Sequence, residues 1–106
     1  MGVTHFSAVM STFPVYKKAV AADVTLTDQE AIDACVIEAN PSVNSKSIIF
    51  PRAIEGKVVF VSNLAAATNT ITIKVGAAGT GVTVAATKSA ILRCNGTDFV
   101  RVSADA

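Results

Sequence analysis

The fold is decided by the second half of the chain, which reads KVVFVSN (57–63), TITIKV (70–75), GVTV (81–84), SAILRC (89–94) and DFVRV (98–102). Each segment is short and rich in β-branched residues, which suit the pleated, half-buried surface of a sheet. Between the last two segments stands Asn95-Gly96, a pair that accepts positive φ at both positions and is typical of a hairpin turn. The second half therefore predicts a succession of short β-strands.

Two of these segments differ in the faces that they are expected to bury. In 70–75 the apolar residues Ile71, Ile73 and Val75 alternate with polar ones, which predicts a strand with one face in solvent. Residues 58–61 are apolar at every position, which predicts a strand covered on both faces. Because so small a domain has few interior layers, the second cover of 58–61 is assigned to a partner subunit, with a loop of the same chain as the alternative.

The first half contains strand signals and one ambiguous segment. Residues 15–22 predict an edge strand, 23–27 a second run, and 47–50 a strand that Pro51 stops. Thr27 and Glu30 have the spacing of a capping box. Two interpretations stay open for Asp28–Ala39: one amphipathic helix, or a helical turn over Asp28–Asp33 followed by a strand over 34–39. The second is preferred because the rest of the chain is β.

These segments together predict an all-β fold. Seven or eight short antiparallel strands, spaced at roughly 8–12 residues, are typical of a single β-sandwich or jelly-roll-like domain. That domain is expected to span residues 14–106, and residues 1–13 are expected to form an extended N-terminal arm outside its core.

The arm and the segment 58–61 together favour assembly with other subunits. Large apolar residues in a terminal arm need a cover, which either the arm's own domain or a neighbour can supply; a neighbour is preferred. The residues predicted to form this interface are Val3, His5, Phe6, Val9, Phe13, Val59 and Val61. The chain is therefore expected to form a homo-oligomer, either a dimer or a trimer.

Composition argues against several classes of function. Nine Lys and Arg against eight Asp and Glu give a net charge of +1, whereas nucleic-acid-binding domains are usually strongly basic. The sequence contains no polybasic patch, no apolar run long enough to span a membrane and no secretory signal. We therefore expect neither a membrane partner nor export from the cytoplasm in which the chain is made.

The chemistry-bearing residues do not form a catalytic or cofactor-binding pattern. The single histidine, His5, lies in the arm, and Cys35 and Cys94 are expected to be two buried thiols, with a disulfide as the alternative. Asp28, Glu30 and Asp33 are better explained as helix-capping and solvated carboxylates than as a cation site. We therefore expect neither enzymatic activity, nor a cofactor, nor a metal.

Three parts of the sequence resemble small virion proteins of tailed bacteriophages. The opening Val3-Thr4-His5-Phe6-Ser7 resembles the beginning of many such proteins. Residues 48–63, in which a strand ends in Pro and a Gly-Lys turn leads to a strand ending in Asn, are similar to a β module of head decoration and tail proteins. Residues 71–84 continue this module, and 90–102 are similar to its closing hairpin. The resemblance covers about residues 45–102 and the first seven.

This resemblance implies a structural role. A decoration (cement) protein binds the outer surface of the phage head after expansion and stabilises the seams between major capsid proteins. The resemblance therefore implies the major capsid protein as partner and the virion as location. The alternatives are a structural module of a tail or fibre and a glycan-binding β-sandwich module, against which the scarcity of aromatic residues counts.

Overall fold

The computed structural model describes residues 15–66 and 68–106, and within them it contains nine strands and one short helix. Most strands lie where the sequence predicts them, to within one or two residues at each end. Their bounds are β1 Val15–Val20, β2 Val24–Thr25, α1 Asp28–Asp33, β3 Val36–Pro41, β4 Lys46–Phe50, β5 Val58–Asn63, β6 Ile71–Val75, β7 Val82–Val84, β8 Ser89–Cys94 and β9 Phe99–Arg101.

The first six strands alternate between two sheets. One sheet has five strands in the order β1-β3-β5-β8-β9, and the other has four in the order β2-β4-β6-β7. The neighbours β1, β3 and β5 run parallel, as do β2, β4 and β6. Val15 pairs with Val36 and Val36 with Phe60, so the chain returns to a neighbouring position in the same sheet after each crossing to the other one. The chain thus winds through three successive coils, each of which contributes one strand to each sheet.

The prediction of antiparallel strands is wrong for β1 to β6, the strands of these three coils. Only β7, β8 and β9 join their sheets by antiparallel pairing, with β6, β5 and β8 respectively. Parallel neighbours need a long crossover between them, and here the crossover contains the strand that pairs in the opposite sheet. The all-β class is confirmed as two mixed sheets, in place of seven or eight antiparallel strands.

The core lies between the two sheets and is formed by small and medium apolar side chains. Its fully buried members come from both sheets, including Ile37 and Leu92 from the five-stranded one and Ile48 and Ile71 from the four-stranded one. The rings of Phe50 and Phe99 meet edge to face with their centroids 4.8 Å apart. Both sheets thus contribute to one shared core.

Asp28–Asp33 is a helical turn followed by a strand, as the preferred interpretation of 28–39 predicts. The Thr27 hydroxyl accepts a hydrogen bond from the Glu30 N–H at 3.2 Å, and the Thr27 N–H donates to the Glu30 carboxylate at 2.9 Å. This reciprocal pair satisfies two of the amides that a helix start leaves unpaired. The strand that follows begins at Val36 and continues to Pro41.

The two cysteines are free thiols; Cys94 is buried, as predicted, whereas Cys35, also predicted to be buried, is only partly so. Among the described residues, no helix has the length and apolar character needed to cross a membrane.

Candidate interaction surface

The predicted interface residues divide into two groups. Val3, His5, Phe6, Val9 and Phe13 lie outside the described residues, as does the predicted arm itself. Val59 and Val61 lie on β5, where both are 0% exposed and pack in the core. Their assignment to an interface is corrected, because side chains that are fully enclosed by their own domain have no surface to offer a partner.

The opposite face of β5 is exposed. Val58 is 47% and Phe60 is 52% exposed, so the described residues leave this strand covered on one face, in contrast to the predicted two. The sequence does show that β5 has a second apolar face, since every position of 58–61 is apolar. What it does not show is which of the two alternating sets points inward.

Asn63 decides that question. Although it is polar, it is 1% exposed and points into the interior with Val59 and Val61. Its side-chain N–H groups donate to the carbonyls of Asn69 at 2.9 Å and Val84 at 3.0 Å, and its Oδ1 accepts from the Ala65 N–H at 3.0 Å. Because its polar atoms are paired, Asn63 can be buried without the usual cost of desolvation.

Phe60 belongs to a row of apolar side chains that crosses the outer face of the five-stranded sheet. The strand register pairs Val15 with Val36, Val36 with Phe60, and Phe60 with Ile91. Directly paired residues project to the same face. The row reaches the far edge at Val102, whose N–H donates to the Ile91 carbonyl at 2.8 Å. We call Val15, Val36, Phe60, Ile91 and Val102 the apolar stripe.

The stripe is exposed at its ends and at Phe60, is partly buried at Val36 and Ile91, and is bounded by polar groups on one side. Its end members Val15 and Val102 are 44% and 59% exposed. The next row along the strands includes the ion pair between the Lys17 ammonium and the Glu38 carboxylate, with N and O 3.8 Å apart. It also includes the hydroxyls of Ser62 and Ser89, whose oxygens lie 3.0 Å apart.

A shallow groove of about 240 Å³ lies beside Phe60, between β8 and the C-terminal residues. Its walls include Ala90 and Ile91 of β8 and Ala104 near the C-terminus. The C-terminal residues are fixed along β8 by two hydrogen bonds between the backbones of Ser89 and Ala106, each 2.9 Å long. The groove therefore extends the apolar stripe with a shallow concave region.

Asp98 holds both ends of the loop that connects β6 to β7. One of its carboxylate oxygens accepts hydrogen bonds from the N–H groups of Val75 and Phe99, and the other accepts from Gly81, at 2.8–3.0 Å. Burial alone would raise the pKa of this carboxyl, but the backbone hydrogen bonds outweigh it and hold the pKa below its ordinary value. Asp98 is thus a structural carboxylate, which connects β9 to the four-stranded sheet.

A second groove, of about 230 Å³, lies where α1 meets β1, and its walls include Tyr16, Gln29, Glu30 and Asp33. Burial, together with the negative charge of Glu30, raises the pKa of the Tyr16 phenol. Glu30 caps the helix, and Asp33 accepts two hydrogen bonds of 3.0 Å from the Gln29 amide.

The carboxylates of this groove thus have local structural partners. The described part of the chain brings together no group of three or more His, Cys, Asp or Glu side chains that could hold a metal ion. The apolar stripe is therefore the best-defined candidate site.

Comparison with known proteins adds no relative: no family model matches this chain, and neither a curated protein nor a solved structure is significantly similar to it.

Proposed function

We propose that this chain is a structural protein of a tailed-phage particle, and specifically a decoration (cement) protein. It binds the major capsid protein on the outer surface of the expanded head and stabilises the seams between capsid subunits. The observation that carries this proposal is the apolar stripe, a row across four strands of one sheet that ends at Val102, the residue after β9. The resemblance of residues 45–102 to phage virion modules supplies the identity of the partner.

The stripe has the properties of an attachment surface. It is formed on rigid paired strands, so binding does not require those residues to become ordered. Phe60 projects from the middle of the row, and a central aromatic side chain is a common source of binding energy at protein interfaces. The neighbouring Lys17–Glu38 pair and serine hydroxyls supply a polar rim of the kind that surrounds such centres.

A decoration protein that binds in this way stabilises the shell by mass action. Binding to the expanded lattice and not to its dissociated subunits shifts the equilibrium toward the intact shell. Burial of apolar surface contributes about 25 cal/mol of binding free energy per Å². Because one stripe buries a modest area, its contribution is modest as well. Many copies around one shell add their contributions, so a weak individual contact suffices.

Substitution of the central aromatic residue tests the proposal. Phe60→Ser removes the largest side chain of the stripe, and loss of its buried area lowers the affinity for heads by about 10- to 100-fold. The matched control is Ile32→Ser, because Ile32 is a comparably exposed apolar residue, 50% exposed, on α1. Both variants are expected to retain the wild-type thermal midpoint, since neither side chain is buried.

The measurement is occupancy on purified expanded heads that lack this chain, by sedimentation and quantitative gel analysis over a range of protein concentrations. Reduced occupancy for Phe60→Ser, with normal occupancy for Ile32→Ser, supports the stripe as the attachment surface. Wild-type occupancy by Phe60→Ser, or no binding of the wild-type chain to heads, contradicts the proposal. Binding to isolated tails or to a glycan array in place of heads supports the tail-module or glycan-binding alternative.

A further inference from the structure

The apolar stripe has nearly the same order of side chains from either end. From β1 to the residue after β9, its members are Val15, Val36, Phe60, Ile91 and Val102. We propose that a second copy of this chain covers the stripe in the free protein, with the two five-stranded sheets packed face to face about a two-fold axis along β5. The dimer competes with the capsid lattice for the stripe; this competition rests on the proposed function, whereas the dimer itself does not.

A two-fold axis along β5 makes the stripe complementary to itself. In an isologous interface both copies use the same patch, and each contact from one residue to another is repeated in reverse. The axis reverses the order of the strands, so it places Val36 of each copy over Ile91 of the other and Phe60 over its own counterpart. Aligned sheets pack with their strands about 30° apart, so the match is closest at these central strands.

The polar row beside the stripe also fits this arrangement. On the inner strands the register pairs Glu38 with Ser62 and Ser62 with Ser89. The axis places Ser62 over its counterpart and Glu38 over Ser89, whose hydroxyl can donate to a carboxylate. Lys17 keeps Glu38 of its own chain as its partner. An axis across the strands would instead place Ser62 over the exposed Val58 and bury a hydroxyl against an apolar side chain.

The area of this face suits a weak dimer. The four longer strands of the sheet have six residues each. Five strands about 4.8 Å apart, with about 3.3 Å per residue, form a face of roughly 24 by 20 Å, or about 480 Å². Two such faces bury about 1,000 Å² in total, which is near the lower limit for a specific interface. We therefore expect a reversible dimer with a dissociation constant between about 10 µM and 1 mM.

Pairing through the edge of β1 is the competing arrangement for two copies. β1 is an edge strand of the five-stranded sheet, and such an edge can pair with another chain. Antiparallel pairing of two β1 strands about a two-fold axis brings Lys17 and Lys18 of one copy close to those of the other. Like charges on neighbouring strands destabilise the pairing, so the outer face is the favoured contact.

Sedimentation equilibrium of the free protein, over the expected range of dissociation constants, tests the dimer. Phe60→Ser is expected to raise the dissociation constant at least about tenfold, because the axis makes each ring part of the same central contact. Ile32→Ser is the matched control and is expected to leave it unchanged, since Ile32 is comparably exposed but lies on α1. A wild-type chain that stays monomeric throughout the range, or Phe60→Ser that dimerises as strongly as the control, overturns the inference.

Position 62 tests the direction of the axis. Because Ser62 faces its counterpart, Ser62→Lys and Ser62→Asp each place two like charges opposite each other, and each variant alone is expected to dimerise more weakly than the wild type. An equal mixture of the two variants pairs opposite charges, so at the same total concentration it is expected to contain more dimer than either variant alone. A mixture without this gain overturns the face-to-face arrangement about β5.

Competition is tested with the heads used above. If only the monomer binds heads, occupancy at low saturation rises with the square root of the total concentration once that concentration exceeds the dissociation constant of the dimer. Occupancy that rises in proportion to the total concentration refutes competition. Because the sedimentation experiment contains no heads, a dimer combined with failure of the wild type to bind heads would contradict the proposed function and leave the dimer standing.

Discussion

Replacement of Asn63 by Asp tests the feature that sets which face of β5 is exposed. The substitution keeps the size and shape of the side chain but replaces the amide nitrogen with a carboxylate oxygen. That nitrogen donates to the carbonyls of Asn69 and Val84, at 2.9 and 3.0 Å. In Asn63→Asp an oxygen without a proton faces both carbonyls at neutral pH, so two hydrogen bonds are lost and a charge is buried.

The magnitude follows from the two carbonyls left without a donor. A buried polar group without a partner costs about 1–3 kcal/mol, and the Asn69 contact is only partly buried, so we expect a loss of about 3–5 kcal/mol. A domain of this size is stable by about 5–15 kcal/mol. The loss therefore lowers the thermal midpoint by at least about 12 °C.

The pH dependence gives the prediction a distinctive sign. Burial beside two carbonyls raises the pKa of the new carboxyl in the folded state above its unfolded value of about 3.9. The protonated form can donate to one carbonyl, so the destabilisation is complete above the folded pKa and decreases as the pH falls through it. Asn63→Asp is accordingly expected to lose less stability, relative to the wild type, at pH 5 than at pH 7.5.

Urea denaturation followed by circular dichroism, at pH 5 and pH 7.5, measures both effects. Asn40→Asp is the matched control, because Asn40 is exposed on β3, and its free energy of unfolding is expected to change by less than about 0.5 kcal/mol. If Asn63→Asp is as stable as this control at pH 7.5, Asn63 does not occupy the buried position described. The assignment of Phe60 to the outer face would then fail with it.

Four further substitutions probe the fold. Asp98→Asn replaces an oxygen that accepts from the Gly81 N–H, and we expect the free energy of unfolding to fall by about 2–3 kcal/mol in urea titrations at pH 7. The pKa of Asp98 is lowered in the folded state, so the stability that its carboxylate provides is lost as the pH falls below about 4. Thr27→Ala removes the helix cap and is expected to cost about 1 kcal/mol by the same measurement. Val59→Ser is expected to cost about 2–4 kcal/mol in thermal denaturation, and Val58→Ser less than about 0.5 kcal/mol; equal losses for the two variants would contradict the described faces of β5.

Local structure is what the sequence predicts well here. Strand positions follow from β-branched segments between turn residues, and the helical turn follows from the spacing of Thr27 and Glu30. Both signals act over a few residues, so they do not depend on the distant parts of the chain.

Strand pairing is a different matter. A succession of antiparallel strands and a set of three coils with parallel neighbours produce similar spacing of consecutive strands along the chain. Only contacts between strands that are not consecutive, such as Val15 with Val36 or Val24 with Ile48, distinguish the two arrangements. No local residue pattern reports which strand will be the neighbour. The predicted antiparallel arrangement therefore failed at the level of topology, although the strands themselves were placed correctly.

The candidate site was identified only in part for a related reason. The uniformly apolar run 58–61 does show that β5 offers a second apolar face. The inward set cannot be read from the run, and Asn63 would ordinarily be placed in solvent, which puts Val59 and Val61 outside with it. Backbone partners at Ala65, Asn69 and Val84, the last of them 21 residues away in the sequence, reverse that assignment. Such partners become apparent only in the folded structure.

Copy number per particle tests the proposed function most directly. Quantitative mass spectrometry of purified virions of the source phage gives the ratio of this chain to the major capsid protein. A decoration protein is expected in hundreds of copies and in simple ratio to that protein. A handful to a few dozen copies, or absence of the chain from the virion, would contradict the account.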